Sequence, residues 1–203
     1  LFSLPLLTLT FWGAWRSRVW FPRAAAIFCA CYLLLAFAQH RQAESAQQTL
    51  IAQRDHTAVR QVVKPSIGNV FLHRSVYLHD GVYHVDAIHV VPGLASKIYS
   101  GGKVDAFEEE QPVKDVARFH RLSNGFLCEH PEADDFIGDI RYGMLPTSTV
   151  PLWGIKTNAA NPNLPTEFVK FRSLDEGDLD QFYRMLFRRK VDTAEREFDG
   201  SGL

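Results

Sequence analysis

His73, His84 and Asp86 fall in two β-rich runs, VFLHRSVYL and YHVDAIHVV, that flank an Asp80-Gly81 turn of type I′ character. Pairing about that turn puts Tyr77 opposite His84, Ser75 opposite Asp86 and His73 opposite Ile88. Side chains alternate along a strand, so Phe71, His73, Ser75, Tyr77, His84 and Asp86 share one face. Diagonal cross-strand neighbours lie about 7 to 8 Å apart, close enough for imidazole and carboxylate arms to converge on a divalent metal at roughly 2 Å. A solvated sheet face collects His, Ser, Tyr and Asp just as readily, so the spacing permits a metal site without requiring one. Asp139 and Arg141, two apart on a later strand, read as a structural ion pair of little worth at a surface, or as the polar rim of a groove. His120 opposite Glu129 reads as a cross-strand pair. No P-loop, dinucleotide fingerprint, nucleophile elbow or H-E-x-x-H motif is present, and no nucleophile, base and orienting group can be assembled.

The elements that must position these residues form an α+β chain: amino-terminal transmembrane helices, then a mainly antiparallel β domain closed by a carboxyl-terminal helix. In the first hairpin Leu72, Val76, Leu78, Tyr83, Val85 and Ala87 make the core face, interrupted by Arg74 and His89. A second hairpin is predicted about Asn124-Gly125, between ARFHRLS and FLCEH, with Leu122 facing Leu127. FIGDIRYGM follows an acidic turn at Asp134 and Asp135 as a fifth strand, and PLWGIKT reads as a sixth. The turn-rich SGGKVDAFEEEQPVKD between the hairpins reads as a loop or edge excursion. Ser173 and Glu176 form a capping box for a last helix, along which Leu179, Phe182, Tyr183 and Leu186 recur at helical spacing toward Arg188, Arg189 and Lys190.

The first forty residues are almost wholly apolar. Leu1 to Trp15 and Ala24 to Gln39 contain no charge and predict two transmembrane segments within residues 1–40. Trp12, Trp15 and Trp20 flank the connection, where indoles favour the interface, and Arg16, Arg18 and Arg23 lie in or beside it. Positive loops stay cytoplasmic, so the rest of the chain is expected on the opposite, periplasmic side. The chain opens inside an apolar run without Met, which predicts missing upstream sequence. Residues 41–61 are rich in Ala, Gln and Glu and read as a helical stalk, residues 62–191 as the β domain and 192–203 as a frayed tail. A formal net charge of −1 argues against a nucleic-acid partner. The three cysteines imply no disulfide framework.

The ordered series KPSIGNVFLHRSVY, DGVYHVDAIHV, IYSGG, RFHRLSNGF, GDIRYGM and PLWGIK resembles the carboxyl-terminal half of the bacterial LexA-regulated, membrane-bound predicted metal-dependent hydrolases. The resemblance implies an inner-membrane protein whose divalent metal is held by upstream residues outside this chain segment. It marks Lys64, Asn69, Arg74, Asp86, Asp139 and Arg141 as the polar positions to test. Two functions follow as expectations: the extramembrane domain of such a hydrolase, or a noncatalytic envelope module binding a lipid, a peptide or a protein at the membrane surface, with the lipid bilayer as partner in both.

Overall fold

The computed structural model describes residues 8, 20–108, 114–131, 133–157, 166–170 and 176–191. The predicted first membrane segment, Ser173 of the capping box and the 192–203 tail lie outside these, apart from Thr8.

The chain is α+β. Helix α1 (Trp20–Gln53) is long and apolar enough to cross a membrane, with a mean hydropathy of 1.8 over its most apolar window. At 1.5 Å per residue, the apolar portion from Trp20 to Gln39 spans about 30 Å, the thickness of bilayer hydrocarbon. Trp20, Ile27, Phe28, Leu33, Leu34 and Phe37 are each more than half exposed, a continuous apolar surface of the kind water-soluble chains avoid.

Beyond it, two four-stranded antiparallel meanders follow in chain order: β1 (Arg60–Pro65), β2 (Leu72–His79), β3 (Val82–His89) and β4 (Lys97–Asp105), then β5 (Leu127–His130), β6 (Ala133–Asp139), β7 (Trp153–Lys156) and β8 (Glu167–Lys170). Helix α2 (Lys114–Leu122) joins the sheets, and α3 (Glu176–Leu186) follows the second. The core between the sheets packs Val76, Leu78, Tyr83, Val85 and Val104 against Phe126, Cys128 and Ile140. Helix α2 covers the far face of the second sheet through Val116 and Phe119. Helix α3 closes the other end of the first sheet, with Met185 against Leu72, Ala87 and Tyr99.

The β2–β3 register is the predicted one, with Tyr77 on His84, Ser75 on Asp86 and His73 on Ile88. Asp80 and Gly81 hold φ of 49° and 76°, as a type I′ turn requires. Four expectations are corrected. Lys114–Leu122 is helical, so there is no hairpin about Asn124-Gly125 and neither Leu122–Leu127 nor His120–Glu129 is a strand pair. Asn124 and Gly125 do take positive φ, 53° and 74°, but as a Schellman cap: their amides donate to the Arg121 and His120 carbonyls at 3.2 and 2.8 Å. The loop expected at SGGKVD is strand β4, which bulges where Gly101 passes Val85. A Cβ on Gly101 would lie 2.6 Å from the Thr147 carbonyl oxygen and overlap that of Val85, so only glycine lets the strand through. Strand β6 contains residues 134 and 135 and ends at Asp139, where Tyr142 N–H turns back to the Asp139 carbonyl.

The fourth correction matters most for function. The polar face of the first hairpin is not solvated: Ser75 and Tyr77 are fully buried, and His73, Asp86 and His84 are 1, 2 and 6% exposed. Helix α1 continues past its apolar portion and lies down on that face instead of standing as a stalk. Its Gln39, Ala43, Gln47 and Leu50 recur at helical spacing and are all buried, and Ala43 packs on Val63, Ile88 and Val90. The helix ends at Gln53, and Arg60 is already in β1.

Candidate functional site

The seam between α1 and the first sheet gathers six of the twelve buried polar residues among those described: Gln39, Gln47, His73, Ser75, His84 and Asp86. At its centre Gln47 Nε2 donates to Ser75 Oγ at 2.9 Å and approaches the Val62 and Val76 carbonyls at 3.2 Å. At the carboxyl-terminal end of α1, Arg54 binds Asp86 through two parallel bonds of 2.7 and 2.9 Å and donates to the Tyr77 hydroxyl at 2.9 Å. The carboxylate beside it raises the Arg54 pKa above its ordinary value, against the opposing effect of burial. His56 Nδ1 lies 3.0 Å from the Tyr77 hydroxyl. His84 stacks on the Tyr77 ring at 4.8 Å, and His56 stacks on His79 at 4.1 Å.

The structure does not bring His73, His84 and Asp86 together. His73 pairs near the opposite end of the hairpin from His84, four residues along the strand or about 13 Å. Both Asp86 oxygens are engaged by Arg54. His56 and His79 face one another ring to ring, which points their in-plane nitrogens away from a common centre. Among the described residues no group of three His, Cys, Asp or Glu is placed to hold a metal.

The remaining sequence candidates are structural and scattered. Arg74, 4% exposed, donates to the Ile140, Leu145 and Pro146 carbonyls between the sheets. Asn69 Oδ1 accepts from the Phe71 and Leu72 amides and closes the β1–β2 turn. Lys64 Nζ stands 4.7 Å from the centre of the Tyr142 ring. Asp139 and Arg141 are the expected ion pair, at 2.6 Å, but Asp139 is 2% exposed, so the pair is not the weak surface contact expected. Arg141 also donates to the Leu122 carbonyl and so pins the end of α2. Sequence reasoning missed Gln39, His40, Gln47, Arg54 and His56; the four-residue recurrence of polar Gln39 and Gln47 about Ala43 was the available signal.

Two concavities remain. A cleft of about 550 Å³ opens between β1, α2 and β5, where Arg60 and Tyr83 both donate to the Gly125 carbonyl. A smaller cavity of about 290 Å³ lies at the end of the seam nearest the apolar portion of α1, lined by Ala36, His40, Pro65, Val70 and His73. Beside it, Gln39 is 1% exposed and neither amide atom has a hydrogen-bond partner, nor has Nδ1 of His73. A buried polar group left unpaired costs about 1–3 kcal/mol.

Burial lowers the pKa of His73 to about 4, with nearby His40 adding to the effect. Burial likewise lowers that of His84 to about 4, reinforced by His56, Lys103 and Arg54 and opposed by Asp86. An unfolded imidazole titrates near 6.5. Between those values the unfolded chain binds protons that the folded chain refuses, so this stability is complete above pH 6.5 and is lost as pH falls toward 4. For His73 the loss is on the order of 3 kcal/mol, from about 1.4 kcal/mol per unit; His84, beside half-exposed His56, adds less. Urea midpoints measured from pH 7 to 4.5 should fall, and His73→Asn should flatten the profile. A midpoint that does not move over that interval contradicts this.

Comparison with protein families, with curated proteins and with solved structures finds no match for the chain.

Proposed function

We propose that this chain is a membrane-anchored, noncatalytic binding module that works with its β domain seated on the bilayer surface. The observation that supports it is the composition of the domain's end nearest the membrane helix. The β1–β2 loop lies beside Ala36 and His40, and Gln42 Nε2 donates to the Leu94 carbonyl of the β3–β4 loop at 3.2 Å. The end of α3 joins them, with Arg188 bonded to the Ala95 carbonyl. These segments expose Ile67 (86%), Phe187 (65%) and Leu94 (55%). Arg41, Arg189 and Lys190 are exposed around them. Apolar tips with a basic rim suit an interface of acyl chains beneath anionic headgroups. Because the helix is part of the domain's own packing, this face is held toward the bilayer.

The reading places the chain in a bacterial inner membrane with the domain on the periplasmic side, supported by Arg16, Arg18 and Arg23 in and beside the predicted cytoplasmic connection. The hydrolase reading, with a divalent metal outside this segment, is supported by the motif resemblance alone. Depth measurements test the seating. Environment-sensitive probes at Ile67, Leu94 and Phe187 should report a membrane environment in nanodiscs containing phosphatidylglycerol. One at Val59, 79% exposed at the far end of the sheet, should report water. Equal water access at all four positions would reject the proposal.

A further inference from the structure

We propose that the cavity between α1 and the β1–β2 loop holds the ester region of one membrane glycerolipid. The inference rests on the membrane-surface reading and names a ligand for it. Ala36 belongs to the apolar part of α1 and His40 to the turn where polar residues begin, so the cavity straddles the depth at which hydrocarbon gives way to glycerol. Exposed Phe37 on the helix and Ile67 on the loop flank it.

The lining chemistry selects the ligand. Ala36, Pro65 and Val70 offer apolar wall to methylenes, and His40 and His73 form the polar end. His73 lines the cavity, is 1% exposed and is kept neutral by burial, and its Nδ1 is unpartnered and closed off from water, so a ligand that seats against the ring is offered one hydrogen bond and no charge. An ester carbonyl or a glycerol hydroxyl satisfies that. A phosphate does not suit the site, because none of the five lining residues is Lys or Arg and Glu44 lies 3.3 Å from His40 Nε2. A volume of about 290 Å³ fits a glycerol ester with the first part of a chain, not a whole lipid. Recognition should therefore ignore the headgroup. A free fatty acid presents the same acyl carbonyl on an alkyl chain and is the competing source.

Native mass spectrometry of the full chain in mild detergent separates these. With phosphatidylethanolamine or phosphatidylglycerol as probe, one lipid should be retained equally, and palmitate should not compete. Ala36→Phe and Val70→Phe fill the cavity from its two walls and should each reduce retention about tenfold. His73→Phe should do the same while keeping the ring volume. Leu34→Phe on the lipid-facing helix surface should change nothing. Melting curves identify any variant that fails to fold, and the other cavity-filling variant then decides. Wild-type retention by folded Ala36→Phe or Val70→Phe, strong preference for one headgroup, or retention of palmitate alone would overturn the proposal. The probe at Ile67 separates the two failures: a membrane-buried Ile67 with no retained lipid rejects only the cavity, whereas an aqueous Ile67 rejects the seating.

Discussion

Arg74→Met is expected to destabilise the protein by about 1–2 kcal/mol, read as a lowered urea midpoint of the full chain in detergent. The Arg74 guanidinium makes bonds of 2.9 to 3.2 Å to three carbonyls: Ile140 twice, Leu145 and Pro146. No carboxylate bonds to it, and burial pushes its pKa down to about 10, with Cys128 and Asp139 opposing. Two effects compete when it is removed. Losing a desolvated charge relieves about 3 kcal/mol, by the equivalence of about 1.4 kcal/mol per unit of pKa. Leaving the buried Ile140 and Pro146 carbonyls without donors costs about 1–3 kcal/mol each, while Leu145 keeps the Ser148 amide at 3.1 Å, and the segment from Ile140 to Pro146 loses its anchor to the first sheet. The carbonyl penalty wins. Met conserves most of the volume, so a cavity does not confuse the result. Arg74→Lys should recover only part of the loss, because a point charge cannot reach three acceptors spread around a planar fork. A Met variant as stable as the parent would show that the segment is held by packing alone.

Asp86→Ala should cost about 2–3 kcal/mol and loosen α1 from the sheet. Breaking a buried pair typically costs about 3–5 kcal/mol; the lower figure applies because the Arg54 side chain is 26% exposed and can partly rehydrate, whereas that of Asp86 is 2% exposed. Hydrogen exchange locates the effect. Amides of α1 from Ala43 to Gln53 should lose protection ahead of those in β5–β8, because the Arg54–Asp86 pair joins the helix end to β3 directly. Replacing both partners by Leu should be milder than Asp86→Ala, since no charge is left stranded. Unchanged protection in α1 would mean that Gln47 and the Ala43–Ile88–Val90 contact hold it without the ion pair. Together the two substitutions dissect the domain: Arg74 fastens the second sheet to the first, and Asp86 fastens the first sheet to the end of α1.

Local chemistry was legible where a short motif has one outcome. Asp80-Gly81 demanded two positive φ values between alternating apolar runs, and the register of β2 on β3 follows from it residue by residue. Asn124-Gly125 demanded the same two φ values and received them, yet the segment before it is a helix. ARFHRLS alternates well enough for a strand, and its helical character appears only when Val116 and Phe119 meet Leu127, Ile137 and Ile155. Gly101 and Gly102 read as a loop because a strand across an inter-sheet contact and a turn both favour glycine.

By itself the sequence determined an apolar helix of membrane-spanning length, an antiparallel hairpin with its register, the Asp139–Arg141 pair and a closing helix. Each depends on residues near one another in the chain. Only the tertiary structure decided what the polar hairpin face is for. His73, Ser75, Tyr77, His84 and Asp86 look equally like a solvated surface and a metal site until Gln47 and Arg54, tens of residues earlier, are laid across them. The physical reason is that a buried polar group is defined by its partner, and here the partners sit on the continuation of the apolar helix. Their distance in sequence hides the seam and the cavity at its end.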